Sequence, residues 1–383
     1  MATSELKAMT EDEIQEIGSD AVKSAISFVE SEIADARIKS QRYFEGEVDI
    51  GEEDGRSKIV STKVRDTIRA IKPSLMRVFL SSENAVEFVP TSQEDVKGAE
   101  QATKYANYRF NELNGYTLLN NVIHDALVKK TGILKVWWED NTEAETFSFT
   151  NVTDEEMSAI VNEKDATVLE HSTEMQLGDE GMEVAKHSLK ISYKKENGKL
   201  KIEAVPPEEF LINREAKSIE DARFICHRVR KTLSELRQMY PDIDPEELKG
   251  GDLSNPMWDS EARARQSYDH TSDIFHGHSS AATEESLNEY WLHESFVRTD
   301  YDGDGIAELR KVCTVGSTVL SNDEVDNMPF ISITPIKISH KFFGLSVADL
   351  VMPLQKIKST LMRNLLDNMY NQNYGRFAVL EGQ

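Results

Sequence analysis

Asp300-Tyr-Asp302-Gly-Asp304-Gly305 is the segment whose residue types and spacing could do chemistry most directly. Aspartates at positions one, three and five with glycine at six match the first half of an EF-hand loop, where carboxylates converge on Ca²⁺. The second half departs from that pattern. Position twelve is Lys311 rather than a bidentate glutamate, and both flanks alternate like strands. Asp and Gly are also the residues that a hairpin turn demands. Two readings therefore stand: a turn that holds no metal, which the strand-like flanks favour, and a weak Ca²⁺ or Mg²⁺ site on Asp300, Asp302 and Asp304. No other cofactor is expected.

Other reactive side chains carry less. His270, His276 and His278 fall in a Gly/Ser/Asn/Asp-rich stretch and read as solvated loop histidines rather than ligands. Trp137 and Trp138 could stack on bases or on a partner, but on an apolar strand one of them should be core. No Walker A loop, GxSxG, HExxH or dinucleotide fingerprint occurs. With 68 acidic residues in the chain, pairs of carboxylates carry no information. Nothing here argues for catalysis. Two cysteines, Cys226 and Cys313, are too few for a disulfide framework or a zinc site and point to a reducing compartment.

The elements that must position these residues are helices followed by short strands. Residues 11–45 read as one helix with Ile14, Ile17, Ala21, Val22, Ala25, Phe28, Val29, Ile33 and Ala36 on its apolar stripe. Residues 45–57 form an acidic, glycine-punctuated loop. Val64 to about Leu80 is a second helix with Val64, Ile68, Ile71, Leu75, Val78 and Phe79 inward. Residues 85–90 read as a short strand, 94–114 and 118–131 as helices, and 133–139 as a buried strand. Leu189–Tyr193 and Leu200–Val205 alternate as a hairpin around Glu196-Asn-Gly198. Further strands fall at 223–230, 289–297 and 307–315, with a helix at 234–240. Residues 250–285 read as a linker or mobile loop.

The last element is the longest. Ser346 and Asp349 have capping-box spacing. Leu350, Leu354, Ile357, Leu361, Leu365 and Met369 then recur at helical spacing, with Lys356, Lys358, Arg363, Asn364, Asp367 and Asn368 assigned to the wet face. Pro353 should kink the helix near its start. Residues 347–374 would span roughly 40 Å.

Composition excludes several classes. No stretch approaches the ~20 apolar residues of a membrane span, and Met1–Thr10 has no apolar h-region of a secretory signal. A net charge of −24 argues against a general duplex-DNA binder held by phosphate neutralisation. It fits simple solubility, the commoner reading, and also a protein that DNA passes without sticking. Residues 141–190 concentrate the charge, with twelve Asp or Glu against three Lys.

Several segments taken in order resemble the portal proteins of tailed bacteriophages, most closely the short-tailed-phage type. They are Arg56–Thr62, Ile71–Phe79, Val86–Pro90, Ala99–Tyr108, Asp125–Glu139, Val205–Phe210, Asp300–Glu308 and His340–Leu350. Each is weak alone; their order and spacing over about 300 residues carry the likeness. The resemblance implies an α+β fold, with a helical N-terminal portion and small mixed or antiparallel sheets. Residues 1–345 would be wing-like, with an acidic insert at about 141–190, and residues 346–375 a stem-like helix. Residues 376–383 would start a clip-like domain; by the same resemblance the clip, second stem helix, tunnel loop and crown of the family would lie outside these 383 residues. The resemblance also implies a ring, typically of twelve subunits, at one capsid vertex in the virion, assembled in the host cytoplasm. Its expected partners are copies of itself, the terminase large subunit, a head–tail adaptor, the major capsid or scaffolding protein, and double-stranded DNA passing without sequence readout. It is a conduit, not an enzyme, and no membrane is involved.

Within that picture the six apolar residues from Leu350 to Met369 would pack the ring. The local excess of Lys337, Lys341, Lys356, Lys358, Arg363 and Arg376 over Asp349 and Asp367 would touch DNA or a neighbouring subunit. Two other classes compete: an adaptor or scaffolding-type protein that binds through the final helix, and a metal-dependent nuclease using Asp300, Asp302 and Asp304. The nuclease is disfavoured because its acids share one turn with no second carboxylate set.

Overall fold

A computed structural model describes residues 8–51, 54–81, 84–153, 157, 166–177, 183–241, 243, 248, 261 and 288–373. The chain divides into two compact units, Met1–Lys135 with Glu203–Gln383, and Val136–Ile202.

In the first unit the N-terminal helix starts on a capping box. The Glu13 N–H donates to Thr10 Oγ1 at 3.3 Å and the Thr10 N–H donates to Glu13 Oε2 at 2.9 Å. Helix α1 (Glu11–Val29) passes through a π turn (Glu30–Ala34) into α2 (Asp35–Glu45), so the expected single helix is continuous but re-phased. Ile14, Val22, Ala25, Ile26 and Val29 are buried before the π turn, and Arg37, Ser40 and Tyr43 after it. Ile17, expected inward, is exposed.

Helix α3 (Lys63–Leu80) buries Val64, Ile68 and Met76, but Val78 and Phe79 lie exposed at its far end, against the expected stripe. Residues 85–90 form no strand. The N–H groups of Ala85 and Val86 donate to Asn107 Oδ1 at 2.8 and 3.2 Å, and that of Phe88 donates to Thr103 Oγ1 at 3.0 Å. Side chains of α4 (Val96–Glu112) thus take the place of a neighbouring strand. Helix α5 (Gly115–Lys129) follows and leads into β1 (Gly132–Val152), whose first residues, Gly132 to Lys135, pair antiparallel with β9 (Phe330–Ile333).

A five-stranded antiparallel sheet has the order β4 (Phe210–Ile212), β5 (Phe224–Thr232), β6 (Glu289–Thr299), β7 (Glu308–Val315), β8 (Thr318–Glu324). The order follows the chain, as is usual for sequential antiparallel strands; short turns join β6 to β7 and β7 to β8, and a short helix, α6 (Leu233–Met239), follows β5. Val22, Ile26, Val29 and Ile33 pack with Phe210, Ile212, Ile225, Phe296 and Phe330 in the main core. The 250–285 stretch lies outside the described residues except Glu261, whose carboxylate is buried against Arg37 and Lys129.

In the second unit the strand order is β2 (Ala166–Leu177), β3 (Glu183–Val205), then β1. The hairpin expected around Glu196–Gly198 is absent, because β3 runs straight through it. Gly198 serves close approach instead of a turn: a Cβ there would lie 2.2 Å from Trp138 Nε1.

Helix α7 (Val347–Asn373) closes the first unit and runs through Pro353 as one element. It is preceded by a bridge between Ile336 and Leu345, at which a Cβ on Gly344 would sit 2.1 Å from the Ile336 carbonyl oxygen. A backbone atom cannot swing away, so Gly344→Ala is expected to cost about 1–3 kcal/mol. Denaturant melts would show this as a lower midpoint with an unchanged slope; an unchanged midpoint would contradict the close approach.

Candidate functional site

Helix α7 is positioned by polar groups at both ends and along one face. Its start is the expected capping box: the Ser346 N–H donates to Asp349 Oδ2 at 2.8 Å and the Asp349 N–H donates to Ser346 Oγ at 3.0 Å. Lys130 Nζ also donates to Asp349 Oδ2 at 2.9 Å, which ties the cap to the end of α5. Ala348, Val351 and Met352 join Val64, Ile68 and Met76 in a second apolar core.

Beyond that first stretch the inward face is polar. Gln355 Oε1 accepts from the Val64 N–H at 2.8 Å, and Gln355 Nε2 donates to the Tyr43 carbonyl at 2.9 Å. Ser359 Oγ accepts from the Ser61 N–H at 3.0 Å, and Asp367 Oδ1 from the Ser57 N–H at 2.7 Å. Between them the Arg363 guanidinium donates to the carbonyls of Ile59, Gly51 and Lys58 at 3.0, 3.3 and 3.3 Å. Steps of four place Gln355, Ser359, Arg363 and Asp367 in one row. Ser359, Arg363 and Asp367 thus satisfy backbone groups of the segment leading into α3, which pairs with no strand among the described residues, and Gln355 satisfies groups at the start of α3 and the end of α2.

The apolar stripe consequently faces out. Leu350, Leu354, Ile357, Leu361, Leu365 and Met369 are all between 50% and 63% exposed. Of the residues assigned to the wet face, Arg363 is buried and Asp367 half-buried, while Gln355 and Ser359, which that assignment missed, are fully buried. The contact role expected for Arg363 is corrected: its donors are taken by its own chain. Lys356 stays exposed 3.8 Å from Asp49. Lys358 is exposed beside the Lys63 ammonium, which lowers its pKa. Lys337 and Lys341 are exposed, and Arg376 lies outside the described residues.

The aspartate turn joins β6 to β7. Asp300 accepts from the N–H groups of Gly303 and Gly305 at 2.8 and 2.9 Å, Asp302 from that of Asp304 at 3.0 Å, and Asp304 from that of Ile306 at 2.6 Å. These bonds account for the residue types as turn formers. One oxygen from each carboxylate lies within 4.8 Å of the others, a spacing that also suits a hard cation. His270, His276 and His278 lie outside the described residues. Trp137 is half-buried and Trp138 is 54% exposed on the second unit. Burial pushes the Cys226 thiol up to about 12, so it is no nucleophile at neutral pH.

Two buried charge clusters brace the core. Lys129 meets Glu208 at 3.3 Å and Arg37 meets Glu261 at 3.4 Å. Glu294 on β6 receives Lys135 and, at 3.0 Å, Lys311, with His227 Nδ1 at 3.7 Å.

The phage SU10 portal protein family model matches residues 14–383, nearly the whole chain. The chain belongs to the phage SU10 portal protein family. The portal resemblance read from the segments between Arg56 and Leu350 is thereby borne out, as is the α+β architecture with N-terminal helices, small antiparallel sheets and a long final helix. A portal is a structural head–tail connector of a bacteriophage, and the buried polar row on α7 is part of how this portal is built. Among the described residues no helix is long and apolar enough to cross a membrane.

Proposed function

We propose that this portal protein forms a ring of its own copies, typically twelve by family resemblance, at one vertex of the capsid. DNA enters during packaging and leaves during ejection through that ring. The terminase large subunit and a head–tail adaptor dock on it, and the capsid or scaffolding protein holds it. In this reading residues 1–345 are the wing and α7 belongs to the stem. Lys356, Lys358 and Arg376 contact DNA phosphates or the next subunit, and the net charge of −24 keeps the duplex from sticking.

The observation that carries the reading is the outward stripe on α7. Fully covering a Leu, Ile or Met side chain is worth about 1.5–3 kcal/mol. Six of them, each exposed by half or more, would contribute on the order of 5–10 kcal/mol when covered. Association costs about 4–15 kcal/mol. The stripe is therefore needed but works together with other contacts around the ring.

Light scattering on the wild type should report a mass of many chains. Ile357→Asp with Leu361→Asp should reduce it to a single chain with the circular dichroism of the folded protomer, because both side chains face solvent within the protomer. A wild type that stays a single chain at the highest attainable concentration would defeat the ring. A double variant that still assembles would defeat the stripe as its contact.

A further inference from the structure

Strands β2 and β3 of the second unit bring three side chains with ligand chemistry together. In their antiparallel register Thr173 faces His187 and His171 faces Leu189. The two-residue period of a strand puts His171 and Thr173 on one face of β2, with His187 and Leu189 on the same face of β3. His171 Nε2 lies 2.9 Å from His187 Nδ1, and Thr173 Oγ1 lies 3.0 Å from His187 Nδ1 and 3.3 Å from His171 Nε2. The two rings stack with centroids 5.1 Å apart, His187 and Leu189 are buried, and His171 is open to solvent.

The lengths of that triangle are informative. A cation bonded to nitrogen or oxygen at about 2.0–2.1 Å holds neighbouring ligand atoms about 2.9 Å apart at right angles and about 3.4 Å apart at the tetrahedral angle. All three edges fall within that range. As a hydrogen-bonded pair the imidazoles share one N–H between facing nitrogens. For both to face a cation, that proton moves to the far nitrogen of the same ring; each imidazole stays neutral and no proton is lost. The surrounding sequence, twelve acids against three lysines over residues 141–190, favours positive charge nearby.

We propose that His171, His187 and Thr173 bind a late first-row divalent cation of the Ni²⁺, Cu²⁺ or Zn²⁺ class. The two imidazoles are the strong ligands, the Thr173 hydroxyl is the third, and the remaining positions are open to water. Imidazole nitrogen selects these ions over Ca²⁺ and Mg²⁺. The bound ion staples β2 to β3, so it stabilises the second unit by mass action. This site is independent of the ring.

Calorimetry with ZnCl2 on the full chain tests it. The wild type should take up one equivalent that His171→Gln loses or binds at least tenfold more weakly, and Zn²⁺ should raise the melting temperature of the wild type only. Because His171 is exposed, that variant should fold as the wild type does. The same equivalent should persist when His270, His276 and His278 are all changed to Gln, and in Asp302→Ala. No heat from the wild type, or equal uptake by wild type and His171→Gln, would overturn the assignment. In the first case His171 and His187 would be a hydrogen-bonded pair with Thr173 beside them, and in the second the ion would sit elsewhere.

Discussion

Glu294→Gln is expected to destabilise the protein by about 3–5 kcal/mol at neutral pH, the cost of stripping the partner from buried charges. Glu294 sits within the sheet on β6, and Lys135, Lys311 and His227 converge on it. Burial by itself would raise its carboxyl, but the His227 imidazole 3.7 Å away and the charges of Lys135 and Lys311 outweigh burial and hold it well below the usual carboxylate range. Glutamine keeps the shape and loses the charge. Lys311, partly open, can turn to solvent, whereas Lys135 and His227 cannot because both are buried.

The sign with pH follows from the two directions. A carboxyl depressed on folding contributes stability above its unfolded value of about 4.3, and loses it as pH falls through and below that value. His227 moves the other way: burial lowers it, but the Glu209 and Glu294 carboxylates outweigh burial and raise it. Its contribution is complete below about 6.5 and is lost as pH rises through its raised value. The cluster should therefore support the wild type best between about pH 5 and 6.5, with stability falling on the acid side. Urea melts from pH 3.5 to 8 should show that fall in the wild type and a flatter acid limb in Glu294→Gln. Parallel acid limbs would contradict the role assigned to Glu294.

Arg363→Ala should cost about 3 kcal/mol, although sequence alone presents Arg363 as a surface cation. Hydrogen bonds from a charged donor are worth about 1.5–3 kcal/mol each, and removing this donor leaves the carbonyls of Gly51, Lys58 and Ile59 to find water at a covered interface. Arg363→Lys should recover only part of the loss, since an ammonium cannot fork across separate carbonyls as a guanidinium does. Leu361→Ala, two residues away on the open face, should change protomer stability by less than about 0.5 kcal/mol. Denaturant melts of the three variants under conditions that keep the protein a single chain make the comparison. An Arg363→Ala protein as stable as Leu361→Ala would show that the polar row does not hold the segment.

Local signals were legible wherever a rule acts within a few residues. Ser346 with Asp349 announced a helix start, and that box closes as expected; the matching box of Thr10 with Glu13 follows the same rule and went unread. Alternation around the Asp300–Gly305 turn announced β6 and β7. The same rules failed at residues 85–90 and 196–198, because whether an extended segment pairs, and whether an Asn-Gly turns, depends on what lies alongside. Asn107 and Thr103 occupy the first segment's N–H groups, and the indole of Trp138 fills the space above Gly198.

Helix α7 marks the division most clearly. Sequence alone determined that residues 347–373 form one long helix with an apolar side and a polar side, and the ordered segments around it determined the portal family. Only the tertiary structure decided which side is covered. Periodicity reports that two faces differ, not which one is buried. Here the neighbours are the extended segment before α3 and the adjoining ends of α2 and α3, and Gln355, Ser359, Arg363 and Asp367 bond their N–H and C=O groups where leucine cannot. The polar row is drawn inward for that reason, and Leu350 to Met369 remain on the outside of the protomer.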